Sequence, residues 1–394
     1  KQLLGGGTMP VTRGLDLTTF LPPLAVLSAG VLSPLGRGLQ AQLPRSTTTS
    51  HATTAQAGAG QAEVTTDVAP RGLYVTDLEQ QEDPASARQR KLMSRSARLL
   101  AVALHDALRT AELSPPYTDC GAFFGVGSSG GALPDLTALV RRSIDDHGFS
   151  MKRLGEAGLY ACSPLFSFQI MNNFTLCHSA IREGLGGPSD LFFSRGGGTA
   201  QALQAAAWSL QAGECSRCIV GAADTAHYEM TSGELRRGNV LDAGLVLSEG
   251  AAALTLTTLA QATTLPKPLA LLTGCAHFPC GDACTDLDGT VLDAAPQATI
   301  VALTAALKKM PQPDVIVCAL WSQALRSWLA NQPPTQALII DAHEVLGEAL
   351  AATPALAWCL ALRLLDHHQA SSARVICCGL DGAVGVTEFQ RGST

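Results

Sequence analysis

Charged and aromatic residues are scarce in this chain of 394 residues. Only 15% of the residues are charged and 5% are aromatic, whereas 46% belong to the hydrophobic set. A chain with so little charge and so much apolar material buries a large core, which excludes an intrinsically disordered protein. The formal net charge is −6 and no run of basic residues is longer than a pair, so there is no basic patch for a phosphate backbone. Nucleic acid is therefore not an expected partner.

Long uninterrupted apolar runs are also absent. The longest, residues 21–32, contains two prolines and a glycine and is too short to span a bilayer. Residues 1–20 begin without the apolar stretch of a secretory signal and are predicted to form an N-terminal extension. The 12 cysteines lie inside apolar stretches, which is typical of buried free thiols in a reducing compartment. We therefore expect no membrane segment and a cytoplasmic location.

Strand-like and helix-like patterns alternate along the chain. Apolar β-compatible runs are predicted at 24–32, 120–126, 218–221, 315–319, 337–340 and 374–378, and helical periodicity at 94–110, 199–211, 298–308 and 346–365. Two further runs, 244–247 and 251–259, are predicted to form a hairpin. The order of elements recurs, which predicts an α/β fold of five layers, α/β/α/β/α, with two pseudo-repeated halves at residues 21–260 and 261–394.

Several glycine-rich and Ser-Pro segments then follow one another in a specific order. They are Val26–Gly36 (VLSAGVLSPLG), Gly125–Gly131 (GVGSSGG), Ser163–Phe166 (SPLF), Ala180–Ser189 (AIREGLGGPS) and Gly244–Ala251 (GLVLSEGA). Together they resemble the beta-ketoacyl synthase family of the thiolase superfamily over residues of about 24 to 388. The resemblance implies a thiolase-like fold, no cofactor and no metal.

The residues at the family's catalytic positions differ from those of active members. The family's nucleophilic cysteine, at the start of a buried helix, corresponds to Gly196, and its two histidines correspond to Leu320 and Glu348. Its lysine corresponds to His343. Glycine cannot carry an acyl group, and leucine and glutamate cannot donate hydrogen bonds to a thioester carbonyl as the histidines do. His343 and Glu348 could form an acid–base pair, but a structural role for Glu348, bonded to backbone, is the preferred interpretation.

The resemblance therefore implies a degenerate, chain-length-factor-like subunit of a type II polyketide or aryl polyene-type synthase. Such a subunit forms a heterodimer with an active ketosynthase, meets acyl carrier protein through that complex, and shapes the acyl tunnel. The tunnel positions carried over from the family are Ser129, Leu133, Thr137 and Phe166, and Phe166 with Leu133 is predicted to form the wall that limits chain length. The strand before the glycines at 196–198 is expected in the dimer face. These glycines are expected to let the backbones of the two subunits approach closely near the interface.

Two other functions remain open at this point. The first is an acyltransferase or condensing enzyme with a relocated nucleophile, Cys162 or Cys177. The second is a homodimeric acyl-binding scaffold without a synthase partner. Covalent acylation separates the first from a structural subunit, and the native mass separates the second.

Two further motifs favour other sites less strongly. Gly125–Gly130 fits a dinucleotide-binding turn with Asp145 twenty residues beyond, but Asp145 falls in a polar stretch predicted to be helical and not at a strand end. The pairs Cys215/Cys218 and Cys280/Cys284, with His277 nearby, could be read as zinc ligands, but buried thiols are the simpler interpretation because the first pair runs into a core strand.

Overall fold

The computed structural model describes most of the chain from residue 22 onwards. The described residues are 22–43, 72–82, 87–127, 130–131, 133–193, 195–237, 245–278, 297–308, 310–332, 336–380 and 382–392. The predicted N-terminal extension, residues 1–20, and the candidate ligands Cys280 and Cys284 lie outside them.

Strands and helices alternate through the described residues. The strands are β1 (Leu24–Ser33), β2 (Gly36–Arg37), β3 (Cys120–Val126), β4 (Ile144–Asp145), β5 (Gly148–Phe149), β6 (Ser189–Phe193), β7 (Arg217–Thr225), β8 (Glu249–Thr258), β9 (Ala270–Phe278), β10 (Val315–Leu320), β11 (Leu338–Asp341), β12 (Ser372–Cys378) and β13 (Val384–Arg391). The α-helices are α1 (Leu78–Gln81), α2 (Arg95–Thr110), α3 (Leu133–Ser143), α4 (Met151–Arg153), α5 (Phe166–Ile170), α6 (Phe174–Glu183), α7 (Gly197–Ala212), α8 (Glu229–Arg237), α9 (Leu259–Ala262), α10 (Gln297–Lys308), α11 (Gln323–Ala330), α12 (Ala342–Leu346) and α13 (Thr353–His367). Short 3-10 turns occur at Leu39–Ala41, Arg90–Leu92, Leu159–Ala161 and Leu350–Ala352, and a π-helical turn occurs at Leu154–Gly158.

The long strands form two groups of five with the same topology. The first group has the order β6-β3-β7-β8-β1 and the second has the order β11-β10-β12-β13-β9, so both follow the path 3-2-4-5-1 when each group is counted in chain order. In both groups the first two pairings are parallel and the last two are antiparallel. β1 and β9 pair over three residues and join the groups into one sheet. The pseudo-repeat predicted from element order is therefore present in the strand topology.

Five layers result from the packing of helices on these strands. The largest core cluster lies between the two groups of strands, where it includes the inward faces of α7 and α13. A second cluster packs α2 on the outer face of the first group, and a third packs α10 and α11 on the outer face of the second. α7 and α13 are apolar on nearly every side because both groups of strands cover them. The predicted five-layered α/β fold is confirmed, whereas the division at residue 260 stays a prediction.

Three local predictions are wrong. The predicted hairpin over 244–259 does not form, because Leu247 pairs in parallel with Gly72 and with Glu348 while Glu249 already belongs to β8. The predicted helix 346–365 is divided into α12 and α13 by an irregular segment that starts at Gly347, whose φ of 71° is left-handed. Pro354 at the start of α13 fixes the new helix there, since proline needs no backbone donor in a first turn.

Asp145 does not lie in a helix either. It belongs to a hairpin formed by β4 and β5, each of which is two residues long. Its side chain accepts a hydrogen bond from the backbone N–H of His147 at 2.9 Å. A dinucleotide site requires the acid at the end of a second parallel strand, so this arrangement does not support one. None of the helices in the described part of the chain is long and apolar enough to cross a membrane.

Candidate functional site

The turn that begins α7 is the centre of the candidate site. Gly196 is buried and has φ 135° and ψ −50°, a backbone conformation that L residues with side chains rarely adopt. A Cβ at this position would lie 2.6 Å from the Cα of Gly379, in the loop after β12. The backbone of Arg195 accepts a hydrogen bond from Leu380 at 3.1 Å, which holds the two loops together. Gly196 therefore allows a close approach within one chain, between the α7 turn and the loop after β12, whereas the approach predicted between the backbones of two subunits stays a prediction.

An aromatic side chain fills the space next to this contact. Leu320, the last residue of β10, is 2% exposed and belongs to the outer core of the second group of strands. The next residue, Trp321, is buried and donates its indole N–H to the carbonyl of Gly379. The end of β10 therefore contributes an alkyl side chain and a satisfied indole, and neither Leu320 nor Trp321 has a group that could exchange a proton near neutral pH.

Glu348 and His343 form a buried hydrogen-bonded network. Glu348 is 2% exposed, and one of its carboxyl oxygens lies 2.8 Å from His343 Nε2. The other oxygen accepts from the backbone N–H of Leu350 at 2.6 Å and from the hydroxyl of Thr353 at 2.7 Å. A buried carboxylate is stable only when its lone pairs are satisfied, and here three donors surround it. Glu348 thus stabilises the irregular segment before α13, which fits the structural role preferred from the sequence.

Asp224, at the end of β7, is fully enclosed beside this network. Its carboxyl oxygens accept from the backbone N–H groups of Thr225 at 2.8 Å and of Ala351 at 3.2 Å. Loss of solvation on burial raises the pKa of Asp224 to about 8, against the opposing effect of these two hydrogen bonds. A Cβ at Gly127, in the first glycine-rich turn, would lie 1.6 Å from this carboxyl group. The turn needs glycine there because the Asp224 side chain occupies the space.

A hydroxyl group joins the starts of the two central helices. Thr199, in the first turn of α7, donates to the carbonyl of Ala351 at 2.6 Å, just before α13 begins. A Cβ at Gly125 would lie 2.1 Å from the same hydroxyl, so glycine in β3 lets α7 pack on the strand. The hydrogen bonds of Thr199, Asp224 and Glu348 all converge on residues 348–353. Glu348, His343 and Gly196, three of the four positions predicted to be degenerate, therefore lie near this junction of two helices, and Leu320 lies at the end of β10. Their assignment as former catalytic positions stays a prediction.

The predicted tunnel residues lie around the first glycine-rich turn. Phe166 is 3% exposed and packs on Gly131, where a Cβ would lie 2.0 Å from the Phe166 ring. Leu133 is the first residue of α3 and is 38% exposed, and Thr137 lies one turn further along as a half-buried residue. Ser129 lies outside the described residues. Phe166 and Leu133 thus flank the same turn, and their predicted role as a tunnel wall stays a prediction.

A small pocket opens beside this turn. It has a volume of about 80 Å³ and is lined by Gly131, Leu133, Tyr228 and Glu234, among others. Glu234 pairs with Arg195, the residue directly before Gly196. The pocket therefore lies between the predicted tunnel residues and the α7 turn. The pocket is too small for an acyl chain, and one of its walls, Leu133, is exposed in the isolated chain.

The alternative nucleophiles lie away from the α7 turn. Cys162 is half-buried, and its sulfur lies 3.5 Å from the carbonyl of Leu159. Cys177 lies on α6 and is also half-buried. A cysteine nucleophile requires an adjacent base or a helix start to favour the thiolate. Within the part of the chain that the structure describes, no basic side chain forms a hydrogen bond with the sulfur of Cys162, and Cys177 lies in the interior of its helix.

The zinc interpretation of the first cysteine pair is not supported. Cys215 and Cys218 are buried and their sulfurs lie 3.2 Å apart. Within the described ranges, no three His, Cys, Asp or Glu side chains are grouped in a way that could hold a metal ion. Two thiols without further ligands do not make a structural zinc site.

Sequence reasoning missed Asp224, Trp321 and Gly379. Asp224 lies at the end of the core strand β7, while Trp321 directly follows β10 and Gly379 directly follows β12, so a search at the carboxyl ends of the strands would have found all three. The contacts of Asp224 with Ala351 and of Gly379 with Gly196 join segments that are more than a hundred residues apart, and Trp321 bonds to Gly379 across 58 residues. No local pattern encodes such contacts.

Comparison with known proteins agrees with this architecture. The family description "Beta-ketoacyl synthase, N-terminal domain" matches residues 36–262, which is more than half of the chain. No curated protein matches the chain by sequence.

Solved structures with the same fold are distant in sequence. The ishigamide ketosynthase/chain length factor superposes with a TM-score of 0.68 at 20% identity, over 94% of this chain and 100% of that one. A chain of AntDE:AntF, a type II PKS acyl-carrier protein in complex with its ketosynthase bound to the hexaketide, gives 0.67 at 15% identity, over 94% and 99%. A beta-ketoacyl synthase from Burkholderia phymatum STM815 gives 0.67 at 14% identity, over 95% and 100%. These likenesses confirm the thiolase-like fold, and the family match identifies the chain as a member of the beta-ketoacyl synthase family.

Proposed function

We propose that this chain is the non-catalytic, chain-length-factor-like subunit of a type II polyketide or polyene synthase, and that it pairs with an active ketosynthase. The observation that carries the proposal is the turn at Gly196. Its φ of 135°, and the 2.6 Å that would separate an added Cβ from the Cα of Gly379, exclude a cysteine in the present backbone conformation. A condensing enzyme needs a thiolate at this helix start to hold the acyl group.

The remaining degenerate positions support the same proposal. Leu320 has no donor for a thioester carbonyl, and the carboxyl group of Glu348 already accepts hydrogen bonds from Leu350 and Thr353 and lies 2.8 Å from His343 Nε2. Converting this site to a condensing site would require the network around Glu348 to be broken and a buried tryptophan to move. The site is therefore a packed junction between the starts of α7 and α13, and its described residues do not form a cavity for two acyl groups.

An exposed apolar surface supports pairing with a second protein. The segment between β3 and β6 carries large apolar side chains that face solvent in the isolated chain, at Ile144 (46% exposed), Phe149 (54%), Met151 (72%), Leu159 (56%) and Tyr160 (84%). We call these five residues the insertion surface. Exposed apolar area of this extent is costly in a soluble monomer and is typical of an interface.

The neighbouring edge of the sheet is also open. β6 is the outermost strand of the first group, and Phe193 at its end is 62% exposed. An open edge strand with an exposed aromatic residue favours association, because its backbone groups lack strand partners on one side. β6 directly precedes the α7 turn, so a partner bound there would lie close to Gly196 and to the predicted tunnel residues.

Co-expression tests the proposal. This chain and a cysteine-bearing ketosynthase of the source organism are expressed together with a tag on one of them, and the purified complex is incubated with an acylated carrier protein. We expect equal amounts of both chains and an acyl adduct on the partner's cysteine only. A stable monomer that binds none of the ketosynthases tested would contradict the proposal. An acyl adduct on Cys162 or Cys177 would instead support the alternative of a relocated nucleophile.

The tunnel wall is tested separately in the active complex. Phe166→Ala removes the ring that packs on Gly131, and we expect longer products because the closed end of the tunnel opens. Phe168→Ala is the matched control, since Phe168 lies in the same short helix but packs against Phe174 at 5.0 Å between ring centres. An unchanged product length for Phe166→Ala, or the same shift for both variants, would remove the wall hypothesis while leaving the pairing proposal intact.

A further inference from the structure

Two cysteines lie at the end of α7 opposite Gly196. The helix ends at Ala212, and Gly213, with φ 71°, reverses the chain in a left-handed turn. The chain then passes Cys215 and enters β7, which contains Cys218. The turn brings the two sulfurs within 3.2 Å of each other. This distance is about 1 Å longer than a disulfide bond, so a small movement of side chains would join them.

The two thiols differ in their surroundings. Cys215 lies directly beneath the surface, since residues 211–214 are exposed, and its sulfur is 3.5 Å from the hydroxyl of Ser209. Hydrogen bonding from Cys218, and secondarily from Ser209, lowers the pKa of Cys215 to about 6 despite its burial. Cys218 is fully buried, and its hydrogen bond with Cys215 together with burial raises its pKa well above the ordinary value. The outer thiol is therefore the nucleophile and the inner thiol the resolving group.

Four other cysteines among the described residues do not share this arrangement. Cys377 and Cys378 are adjacent in sequence, but they lie in β12 and belong to different core clusters on opposite faces of the sheet. Burial raises the pKa of Cys275 and of Cys359 to about 12. These thiols therefore serve as internal references for any reaction of Cys215.

We propose that Cys215 and Cys218 form a reversible dithiol–disulfide site that reacts with low-molecular-weight disulfides such as oxidised glutathione. The Cys215 thiolate attacks one sulfur of the small disulfide, forms a mixed disulfide and releases one thiolate, which takes up the proton that Cys215 lost. The Cys218 sulfur then attacks the Cys215 sulfur and releases the second small thiol, which carries away the Cys218 proton. The protein loses two hydrogens, and one small disulfide becomes two small thiols.

Formation of this disulfide would affect the central helix layer of the fold. The disulfide would connect the loop after α7 to β7, so it would fix the far end of the helix whose start carries Gly196. The closed loop is very short, so we expect the bond to alter local opening of residues 213–218 and not the unfolding of the whole chain. The site is independent of the pairing function proposed above.

Peptide mapping tests the proposal on the full chain. The native protein is incubated with excess oxidised glutathione, free thiols are blocked with an alkylating agent under denaturing conditions, and the chain is digested with trypsin. Cleavage after Arg217 places Cys215 and Cys218 on different peptides, so only a disulfide leaves them joined. We expect the joined peptides to reach at least about ten times the yield of any other cysteine pair, and dithiothreitol to separate them.

Single variants identify the nucleophile. With Cys218→Ser the reaction should stop at the mixed disulfide, so a glutathione adduct accumulates on Cys215, whereas Cys215→Ser should give no adduct on the buried Cys218. Cys218→Ala replaces Cys218→Ser if the serine variant does not fold. Three outcomes would each overturn the proposal. Cys215 and Cys218 could still be alkylated after prolonged oxidation, Cys377 could be oxidised to the same extent as they are, or the glutathione adduct could form on Cys218.

Discussion

The two halves of this molecule have the same strand topology but differ in the length of one connection between strands. The strand order 3-2-4-5-1 and its pattern of parallel and antiparallel pairs are identical in both groups of strands. Between its second and third strands, however, the first half carries residues 127–188, with four α-helices and a small hairpin among those described, whereas the second half carries residues 321–337 with α11. The insertion surface lies in the longer segment. The two halves therefore share one topology, and the unequal connection carries the exposed residues that we propose as the face for a partner.

The central helices repeat this contrast. α7 and α13 each follow the third strand of their half, although α12 precedes α13, and both are buried between the two groups of strands. α7 begins with three glycines and no side-chain cap, whereas the segment before α13 carries the Glu348 network. One helix start thus has no side-chain cap, whereas the segment before the other is held by hydrogen bonds from Leu350 and Thr353 to the Glu348 carboxyl group.

The largest effect is expected from the buried ion pairs on the fifth strands. Glu388 in β13 pairs with Arg374, whose side chain is only 4% exposed, and Glu249 in β8 pairs with Arg95, whose side chain is 34% exposed. Glu388→Ala should lower the free energy of unfolding by about 3–5 kcal/mol because it leaves a buried guanidinium unpaired. Glu249→Ala should lower it by about 2 kcal/mol, since Arg95 can reach water. Urea unfolding of both variants measures the difference, and equal losses would mean that the halves do not differ in this respect.

The next effect concerns the two ends of α7. Gly196→Ala should cost about 2–4 kcal/mol, because it combines a strained φ with a contact to the Gly379 backbone. Gly213→Ala is the matched control, since its φ of 71° is also positive but nothing lies within 4 Å of an added Cβ, and it should cost about 1 kcal/mol. Chemical denaturation compares them. A Gly196→Ala variant as stable as the Gly213 variant would show that the α7 turn can hold a side chain.

An effect that is smaller for each pH unit is expected from titration at the junction of the halves. Asp224 in the first half accepts from Ala351 in the second, and burial raises its pKa to about 8. The folded chain therefore binds a proton between about pH 4 and 8 that the unfolded chain releases, so stability falls as the pH rises through this window, by at most about 1.4 kcal/mol per pH unit. Asp224→Asn should remove this slope. Melting temperatures at several pH values test it, and an unchanged slope in the variant would assign the effect to other groups.

Substitutions at the two edges of the sheet should have the smallest effect on the free energy of unfolding. One of them should nevertheless have a large effect on pairing with the ketosynthase. β6 and β11 are the third strands of their halves and form opposite edges of the sheet. Phe193→Asp in β6 should prevent co-purification with the ketosynthase, whereas Ile339→Asp in β11, at a residue that is 46% exposed, should leave it intact. Each should change the free energy of unfolding by about 0.5 kcal/mol or less. Loss of pairing in the β11 variant alone would place the interface at the other edge.

Much of the fold could be predicted because strands and long helices have local signatures. The prediction for residues 120–126 coincides with β3, and the helix predicted over 94–110 is α2 with Ser94 as its N-cap. The predictions failed where the chain is held by distant partners. Leu247 pairs with Gly72 and Glu348, and the segment before α13 is fixed by Glu348 and Asp224, so the apolar periodicity of residues 346–365 suggested one continuous helix.

The residues of the candidate site were likewise predictable from the sequence only in part. Gly196, Leu320 and Glu348 were predicted as the family's catalytic positions from the order of motifs, and that assignment stays a prediction. Trp321 and Gly379 could not be predicted, since their role depends on the contact between the loop after β12 and the turn before α7.

The sequence by itself determined the composition of the layers, the alternation of strands and helices, and the loss of a thiol at the helix start, because these properties depend on residue type and local spacing. Only the tertiary structure decided that the Gly379 backbone approaches the helix start at Gly196, that Trp321 bonds to Gly379, and that Thr199 and Asp224 both bond to Ala351. The physical reason is that close packing and buried hydrogen bonds act between segments that meet only after the two halves have folded onto the central helices.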